Sequence, residues 1–452
     1  MSGSGEAQQE KDIKIPEQEA DAGGSRPQEM TGSEKNEEKQ EAKEKKRKGR
    51  LHWKSFLAGI LAAAAGMSAA AGVWLFFPLS ASPEKPDSLG TMKKISEMVR
   101  TIQAHYYGDI SNSELTENMM SGLVSGLGDK YSAYYSEEEY SEVRLANKGY
   151  TRGIGISLAQ KDDGSLYIVY VQADSPAAQA GLQENDVLTA INGQNLDGYS
   201  VSEAVALVQD AEDDKVTVSF TREGTDGEQT VSMEKSDIEI YSVAGGMLKE
   251  DSRVGYIQIS KFNGTTSDQF KEIYDGLQEK GMKALILDLR DNPGGQVSGC
   301  CDVLEQILPK GVIVYEKDKD GPEQTRDCDG KTPIEIPLAV LVNKNTASAS
   351  EIFTGAVQDY GVGTVIGTQT YGKGIEQKSY TLSDGSVVKL TTTHYFTPDH
   401  RDINGVGITP DIVVENQEDS DTDEQFEKAL DTVQGQIGDD GSSESQKKTG
   451  DA

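Results

Sequence analysis

A serine-rich stretch near the end of the chain, TASASEIFTGAVQDY (346–360), contains side chains that could act as a nucleophile. Ser348 follows the apolar run LAVLVN, typical of a buried strand, and precedes a helical pattern. At such a junction the hydroxyl faces solvent and nearby backbone N–H groups lack helical partners, which suits a nucleophile beside an oxyanion hole. The four residues Ser348 to Glu351 also match an ordinary capping box, and the local pattern alone favours that simpler interpretation.

This stretch contains no histidine, so a serine nucleophile would need another base. Lys373, between two glycines in TYGKG, is the candidate, because a lysine that burial keeps neutral can accept a proton from a serine. Gln377 lies four residues further on and could orient the amine through a hydrogen bond. His394 and His400 are conceivable bases, but we interpret both as ordinary surface or core histidines.

The composition of the chain excludes several other chemistries. With 76 acidic against 44 basic residues in 452, the net charge of −32 disfavours nucleic acid as a partner. The sequence lacks the HExxH, G-x-S-x-G and C-x-x-C patterns of zinc proteases, α/β-hydrolases and zinc sites, so we expect no metal and no cofactor. We interpret Cys300, Cys301 and Cys328 as free or buried thiols, although a bridge from Cys328 to one of the other two is an open alternative.

The first ninety residues contain no globular pattern. Residues 1–50 are polar and predicted to form a disordered cytoplasmic segment. Residues 51–79 include 25 consecutive uncharged residues after a basic cluster, which predicts a transmembrane signal-anchor helix with its N-terminus in the cytoplasm. A cleaved signal peptide is the alternative, because SAAAG resembles a cleavage site. Residues 80–90 are predicted to be a linker, and the remainder is predicted to lie outside the cytoplasm.

A segment after residue 150 has the pattern of a peptide-binding domain. RGIGISLAQ is followed in order by SPAA, AGL, DVL and ING, and this series resembles a PDZ domain. The loop Gly153, Ile154, Gly155 and Ile156 would direct backbone N–H groups at a peptide carboxylate, and the next strand would pair with the peptide. The loop taken alone favours the simpler interpretation of a turn into a strand, and the further elements in order favour the PDZ domain. QDAEDDKV stands where relatives of this segment commonly carry an Arg-Gly pair, so a coupling role for that arginine is not expected here.

The serine and lysine segments together resemble the C-terminal processing peptidases, the tail-specific serine proteases of peptidase family S41. The nucleophile of that family is the first serine of S-A-S-E, and its lysine lies in G-K-G. Ser348 and Lys373 reproduce the family spacing of 25 residues. The resemblance also assigns a supporting glutamine to Gln377 and, as in some members, a supporting aspartate to Asp359.

The stretch ALILDLRDNPGG (284–295) resembles the glycine-rich turn that supplies an oxyanion amide in this family. The resemblance assigns that amide to Gly294, with Gly295 as the second choice, and the first amide to Ala349. It extends over about 91–434, nearly all of the part of the chain that is predicted to fold, and it implies no metal or cofactor.

The resemblance implies a mixed α/β fold, with a PDZ domain inserted in a ClpP/crotonase-like serine protease core. The predicted segments that follow the linker are an N-terminal helical region (91–146), the PDZ domain (147–235), the peptidase core (236–415), and a C-terminal helix with a disordered acidic tail (416–452). In the core, 266–280 and 349–359 are predicted helices, and a short helix is predicted near 423–434.

The predicted function is that of a bacterial, membrane-anchored, extracytoplasmic serine endopeptidase. It would recognise protein C-termini through its PDZ domain and cleave by a Ser-Lys dyad. The expected partners are protein substrates with free C-termini, the membrane, and a second copy of the chain in a homodimer formed through the helical terminal regions. The alternative is a non-catalytic, membrane-tethered PDZ adaptor with an inert peptidase-like platform, and the presence of both Ser348 and Lys373 argues against it.

Overall fold

The computed structural model describes residues 88–211, 213–417 and 422–439. The chain divides into two units, 1–110 and 111–452, and the helix described in the first is α1 (Ser88–His105). Because α1 begins at Ser88, the last three residues of the predicted 80–90 linker are helical. The serine content that suggested a linker is also compatible with a helix start.

Several predicted segments lie outside the described residues. They are the cytoplasmic segment 1–50, the membrane helix 51–79 and the end of the acidic tail. Among the helices that the structure does describe, none is both long enough and apolar enough to cross a membrane.

The centre of the second unit is a six-stranded sheet in which all strands but the first are parallel. Its strands, in spatial order, are β10 (Val243–Met247), β11 (Val254–Ile259), β12 (Ala284–Asp288), β15 (Leu338–Val342), β16 (Thr364–Gly367) and β19 (Ile412–Val413). Every residue of β12 and β15 is buried, because helices cover both faces of the sheet.

Alternate residues of β12 belong to two different cores. The helices on the two faces of the sheet are α6 (Thr266–Glu279), α7 (Val297–Leu304), α8 (Ala349–Tyr360) and α9 (Glu424–Asp439). Leu285 and Leu287 pack in the larger core with α6, α7 and α8, whereas Ile286 packs in a smaller core with Ala429 of α9. The predicted helices near 266–280, 349–359 and 423–434 are thus confirmed, and the last extends to Asp439. Cys300, Cys301 and Cys328 are free and buried, as the simpler interpretation predicted.

A second, antiparallel sheet contains the strand that follows Lys373 in the chain. In spatial order it contains β1 (Ala133–Tyr135), β18 (Val387–Phe396), β13 (Gly311–Asp318) and β14 (Glu323–Cys328), and β17 (Ile375–Thr381) also pairs with β18. Along the chain, β1 follows the helix α2 (Asn112–Ser125) and precedes the helix α3 (Glu137–Lys148). Through β1, the predicted N-terminal helical region contributes a strand to this sheet.

The segment with the PDZ pattern forms a third sheet with its own core. Its strands are β3 (Ile156–Gln160), β4 (Leu166–Val171), β5 (Val187–Ile191), β6 (Gln194–Asn195), β7 (Lys215–Thr221) and β8 (Gln229–Glu234), with the helices α4 (Pro176–Gln179) and α5 (Val201–Gln209). A two-stranded ribbon of β2 (Tyr150–Gly153) and β9 (Ser236–Glu239) encloses this segment in the chain. β3 is the last strand of its sheet, so one of its edges has no strand partner among the described residues.

Candidate active site

Two loops meet at the carboxyl ends of the parallel strands β12 and β15. The Ala347 N–H donates to the Asn292 carbonyl oxygen over 3.0 Å, and the Thr346 hydroxyl donates to the Leu289 carbonyl oxygen over 2.8 Å. Neighbouring parallel strands end at the same edge of a sheet, which is where such folds commonly place ligands. The two loops therefore bring the glycine-rich turn beside the serine segment.

Ser348 is the N-cap residue of α8 and has an unusual backbone conformation. Its φ is +58° and its ψ is −119°, whereas residues other than glycine seldom adopt a positive φ. The residue is 8% exposed. Such strain persists only where the surrounding structure imposes it, and it is concentrated at functional sites.

Of the two hydrogen bonds of a capping box, Ser348 and Glu351 form the one that uses the glutamate side chain. The Ser348 N–H donates to Glu351 Oε2 over 2.8 Å. The Glu351 N–H donates to the Ser348 carbonyl oxygen over 2.7 Å, and the Ser348 hydroxyl makes no capping hydrogen bond. The hydroxyl is therefore not required to complete the helix terminus.

The fully buried Glu351 carboxylate links the serine segment to the lysine segment. Oε2, which binds the Ser348 N–H, also accepts the Lys373 N–H over 2.8 Å, so the two amide nitrogens are at most about 5.6 Å apart. Oε1 accepts the Thr370 hydroxyl over 2.6 Å and the Gly372 N–H over 2.7 Å. A buried carboxylate needs such partners, and here they bring the backbones of Ser348 and Lys373 together.

The Lys373 side chain is partly buried, and burial lowers the pKa of its amine below the usual lysine value. The positive charge of Lys389 lowers this pKa further, while Tyr371 and Asp129 act in the opposite direction. Among the described residues the amine has no hydrogen-bond partner, and its nitrogen lies 4.5 Å from the centroid of the Tyr131 ring. Burial and the charge of Lys389 therefore shift the amine towards its neutral form, which is the form that can accept a proton.

The backbone N–H groups proposed as oxyanion donors lie close to Ser348, but one of them already donates a hydrogen bond within the protein. The Gly294 N–H donates to Asn292 Oδ1 over 2.9 Å and so is not free for an oxyanion. The N–H groups of Gly295, the second choice from the sequence, and of Ala349 have no hydrogen-bond partner in the described part of the chain. Gly295 therefore fits the role of donor better than Gly294 in this conformation.

We expect Gly294→Ala to lower kcat/KM about 10- to 100-fold and also to lower the melting temperature, because the added Cβ meets backbone atoms at a strained φ. Gly294 has a φ of +99°, and an added Cβ would lie 2.6 Å from the Ala347 carbonyl oxygen, 2.8 Å from Ser348 Cβ and 2.9 Å from the Ala349 nitrogen. Peptide cleavage and thermal unfolding of the wild-type chain and the Gly294→Ala variant would test this prediction. Gly164→Ala is the matched control, because Gly164 has a φ of +84° with nothing within 4 Å of the added atom. An equal loss of kcat/KM in Gly294→Ala and Gly164→Ala would contradict the prediction.

The two predicted supporting residues make other contacts. Gln377 Nε2 donates to Thr391 Oγ1 over 3.2 Å, so in this conformation it does not orient the Lys373 amine as the spacing suggested. A bulge between Glu376 and Gln377 shifts the register there. Asp359 pairs with Arg401. It lies eleven residues from Ser348 at the other end of α8, roughly 16 Å along the helix axis, and its supporting role stays a prediction.

Neither of the two candidate histidines is bonded to Ser348. His394 is exposed, and His400 lies 3.3 Å from a carboxylate oxygen of Glu323, with its ring against that of Tyr315. These contacts agree with the interpretation of both residues as ordinary surface or core histidines.

The PDZ-like sheet carries a groove of about 320 Å³. The predicted carboxylate-binding loop, Gly153 to Ile156, lines it together with β3 and Val205 and Val208 of α5. Because the free edge of β3 borders the groove, an extended peptide could add to the sheet there.

Three residues at the site were not identified as functional from the sequence. They are Glu351, whose pattern predicted only a capping residue, Asn292, which binds the Gly294 N–H, and Tyr395, whose buried hydroxyl donates to the Lys373 carbonyl oxygen. Glu351 was within reach of sequence analysis, because a glutamate buried in an apolar helix face needs several donors. No local signal identifies Tyr395, whose contact spans two segments.

Comparison with family models gives three matches. Peptidase family S41 matches residues 253–414, the PDZ domain matches 167–222, and the N-terminal domain of the activating protease CtpB matches 78–139.

Curated proteins and a solved structure extend this similarity. The carboxyl-terminal-processing protease of Synechocystis is 33% identical over 339 residues, which cover 73% of this chain and 79% of that protein. A probable CtpA-like serine protease of Staphylococcus aureus is 33% identical over 327 residues, covering 72% of this chain and 65% of that protein. The photosystem II D1 C-terminal processing protease aligns at 25% identity with a TM-score of 0.43, over 71% of this chain and 86% of that one.

Proposed function

Because this chain belongs to peptidase family S41 and is a serine-type endopeptidase of the carboxyl-terminal-processing kind, we propose that Ser348 is its nucleophile and Lys373 its general base. The proposed enzyme binds a protein by its C-terminus in the PDZ groove and cleaves that protein in the peptidase core. The proposal extends to a membrane anchor at 51–79 and to an active site outside the cytoplasm.

The observation that carries the proposal is the double hydrogen bond at Glu351. One carboxylate oxygen accepts the N–H groups of both Ser348 and Lys373, each over 2.8 Å. A lysine side chain extends about 6 Å from its Cα, so the amine can reach a hydroxyl whose backbone is this close. Glu351 therefore supports a dyad by fixing the separation of its two members.

The chemistry follows from these positions. Lys373, when neutral, takes the proton of the Ser348 hydroxyl as the oxygen attacks the carbonyl carbon of the scissile peptide bond. The N–H groups of Ala349 and Gly295 stabilise the negative oxygen of the tetrahedral intermediate. The lysine then gives its proton to the departing amine, which leaves an acyl-serine. A water molecule attacks that ester with the same proton transfers and restores the hydroxyl.

The PDZ groove supplies the recognition of the substrate. The backbone N–H groups of the 153–156 loop would bind the terminal carboxylate of a protein, and the free edge of β3 would pair with its last residues. Apolar side chains line the groove, among them Ile154, Ile156 and Val205, which favours an apolar C-terminal residue. Recognition by the free carboxylate makes the groove selective for chain ends over internal segments.

We expect an unfolded protein with an apolar C-terminus to be cleaved by the full chain in detergent. The same protein with an amidated C-terminus should show kcat/KM about 10-fold lower, because the charge-assisted hydrogen bonds of the carboxylate are lost. Mass spectrometry of the fragments, taken as a time course for the two substrates, measures the difference. Equal cleavage of acid and amide would contradict C-terminal recognition, and no cleavage of either while the tail binds would contradict the peptidase proposal.

Location and assembly rest on the sequence. The basic cluster before the uncharged segment supports insertion with the N-terminus in the cytoplasm. Self-association through the terminal helical regions also belongs to the proposal, and sedimentation of the detergent-solubilised chain would test it.

A further inference from the structure

The chain just before β1 lies beside the amine of Lys373. Tyr131 belongs to this segment, and its ring centroid is 4.5 Å from Lys373 Nζ. The Tyr131 N–H donates to Asp129 Oδ1 over 3.0 Å, and the Ser132 hydroxyl oxygen accepts the Thr391 N–H over 3.1 Å. β1 then pairs with β18. The ring is therefore held by contacts on both sides of it in the chain.

The backbone of Lys373 also has an aromatic partner. Tyr395 is almost fully buried, and burial raises the pKa of its hydroxyl well above the usual value, which keeps it protonated. That hydroxyl donates to the Lys373 carbonyl oxygen. Tyr395 therefore fixes the backbone of Lys373, whereas the amine of Lys373 lies against Tyr131.

These contacts describe a resting site in which, among the described residues, no hydrogen bond joins the Ser348 hydroxyl to the Lys373 amine. The amine lies on an aromatic ring, and such a ring attracts the charged form of an amine through its negative face. We propose that Tyr131 is a positioning residue that holds Lys373 as an ammonium group in the resting molecule, and that the base forms when the amine leaves the ring for Ser348. This inference rests on the proposed function only for the role of Lys373.

The other charges around Lys373 come from three parts of the chain. Lys389 of β18 and Lys130 disfavour the ammonium form, whereas Asp129 and Tyr371 favour it. Lys130 lies 4.8 Å from the Tyr131 ring centroid and donates a hydrogen bond to Tyr371. Burial lowers the pKa of Lys373 overall. The Tyr131 ring opposes this effect, and that opposition can be measured.

The first test reads the protonation of Lys373 without catalysis. Competitive acetylation of the full chain at a series of pH values, followed by mass spectrometry of the Lys373 peptide, gives the pKa of its amine. Tyr131→Phe keeps the ring and should leave this pKa unchanged. Tyr131→Leu keeps apolar bulk without the ring and should lower it by about 0.5 to 1 pH unit. An equal pKa of the Lys373 amine in Tyr131→Leu and Tyr131→Phe, or a higher pKa in Tyr131→Leu, would overturn the inference.

The second test uses cleavage of a fluorogenic peptide. The rising limb of kcat/KM against pH should move to lower pH in Tyr131→Leu, which makes this variant about 3- to 10-fold faster than wild type below the limb and equal to it on the plateau. An equal loss of rate at every pH would assign Tyr131 a structural role and contradict the inference. Thermal unfolding checks the fold, and Tyr131→Met provides the same comparison if the leucine variant unfolds.

The two tests separate this inference from the proposed function. If the chain cleaves nothing but acetylation shows the lower pKa in Tyr131→Leu, the ring contact stands and the peptidase proposal fails. If Ser348 and Lys373 are both needed for cleavage but the leucine and phenylalanine variants label alike, only the role of Tyr131 fails.

Discussion

Ser348→Ala is expected to lower kcat for peptide cleavage at least about 10³-fold while leaving the fold and peptide binding intact. The reason is that the hydroxyl would be the attacking group, and it contributes no capping hydrogen bond to α8. Cleavage of the C-terminally tailed protein by wild type and variant, normalised to tail binding in the groove, measures the effect.

Ser350→Ala is the matched control for that substitution. Ser350 is two residues away on the same helix, is fully buried, and its hydroxyl has no hydrogen-bond partner in the described part of the chain. Its loss should therefore change kcat less than about 3-fold. A Ser348→Ala chain that cleaves as fast as the Ser350→Ala chain would show that Ser348 is not the nucleophile.

Lys373→Met should also lower kcat at least about 10³-fold, because methionine keeps the length of the side chain without its proton acceptor. In wild type, kcat/KM should rise with pH as the amine loses its proton, with a midpoint below the usual lysine pKa because burial lowers that of Lys373. The sign follows from the role, since only the neutral amine can accept the serine proton. The pH–rate profile of the wild-type chain measures the midpoint.

Lys378→Met controls for the loss of a lysine from the same region. Lys378 lies in β17 and pairs with Asp318 at 2.8 Å, so its removal should leave both kcat and the midpoint nearly unchanged. A rising limb that persists in residual activity of Lys373→Met would show that another group is the base.

Much of the fold could be predicted from local sequence. The strands β12, β15 and β18 are continuous apolar or β-branched runs, and the helix after Ser348 follows from its spacing and its glutamate. The serine–lysine pair was identified because two short patterns occur at a fixed separation. In each case the pattern that predicts the feature lies within one segment of the sequence or in the number of residues between two segments.

The contacts that complete the site depend on packing between distant segments. Nothing near Gln377 predicts that its side chain binds Thr391, because that contact depends on a bulge between two strands. Nothing near Tyr131 predicts that it meets Lys373, 242 residues later in the chain. The resemblance assigned the Gly294 N–H to an oxyanion. Nothing in the local sequence predicts that this N–H donates to Asn292 Oδ1, because the Asn292 side chain reaches that position only in the folded loop.

The ribbon of β2 and β9 has a consequence for how this enzyme could diversify. Gly153 and Ser236 are register partners, so the entire module between them enters and leaves the core through adjacent points. A short turn could close that gap without disturbing the strands on either side. Under the proposed function, exchange of this module for another would alter which proteins bind and leave the bond-breaking chemistry as it is, so that selectivity and catalysis could evolve separately.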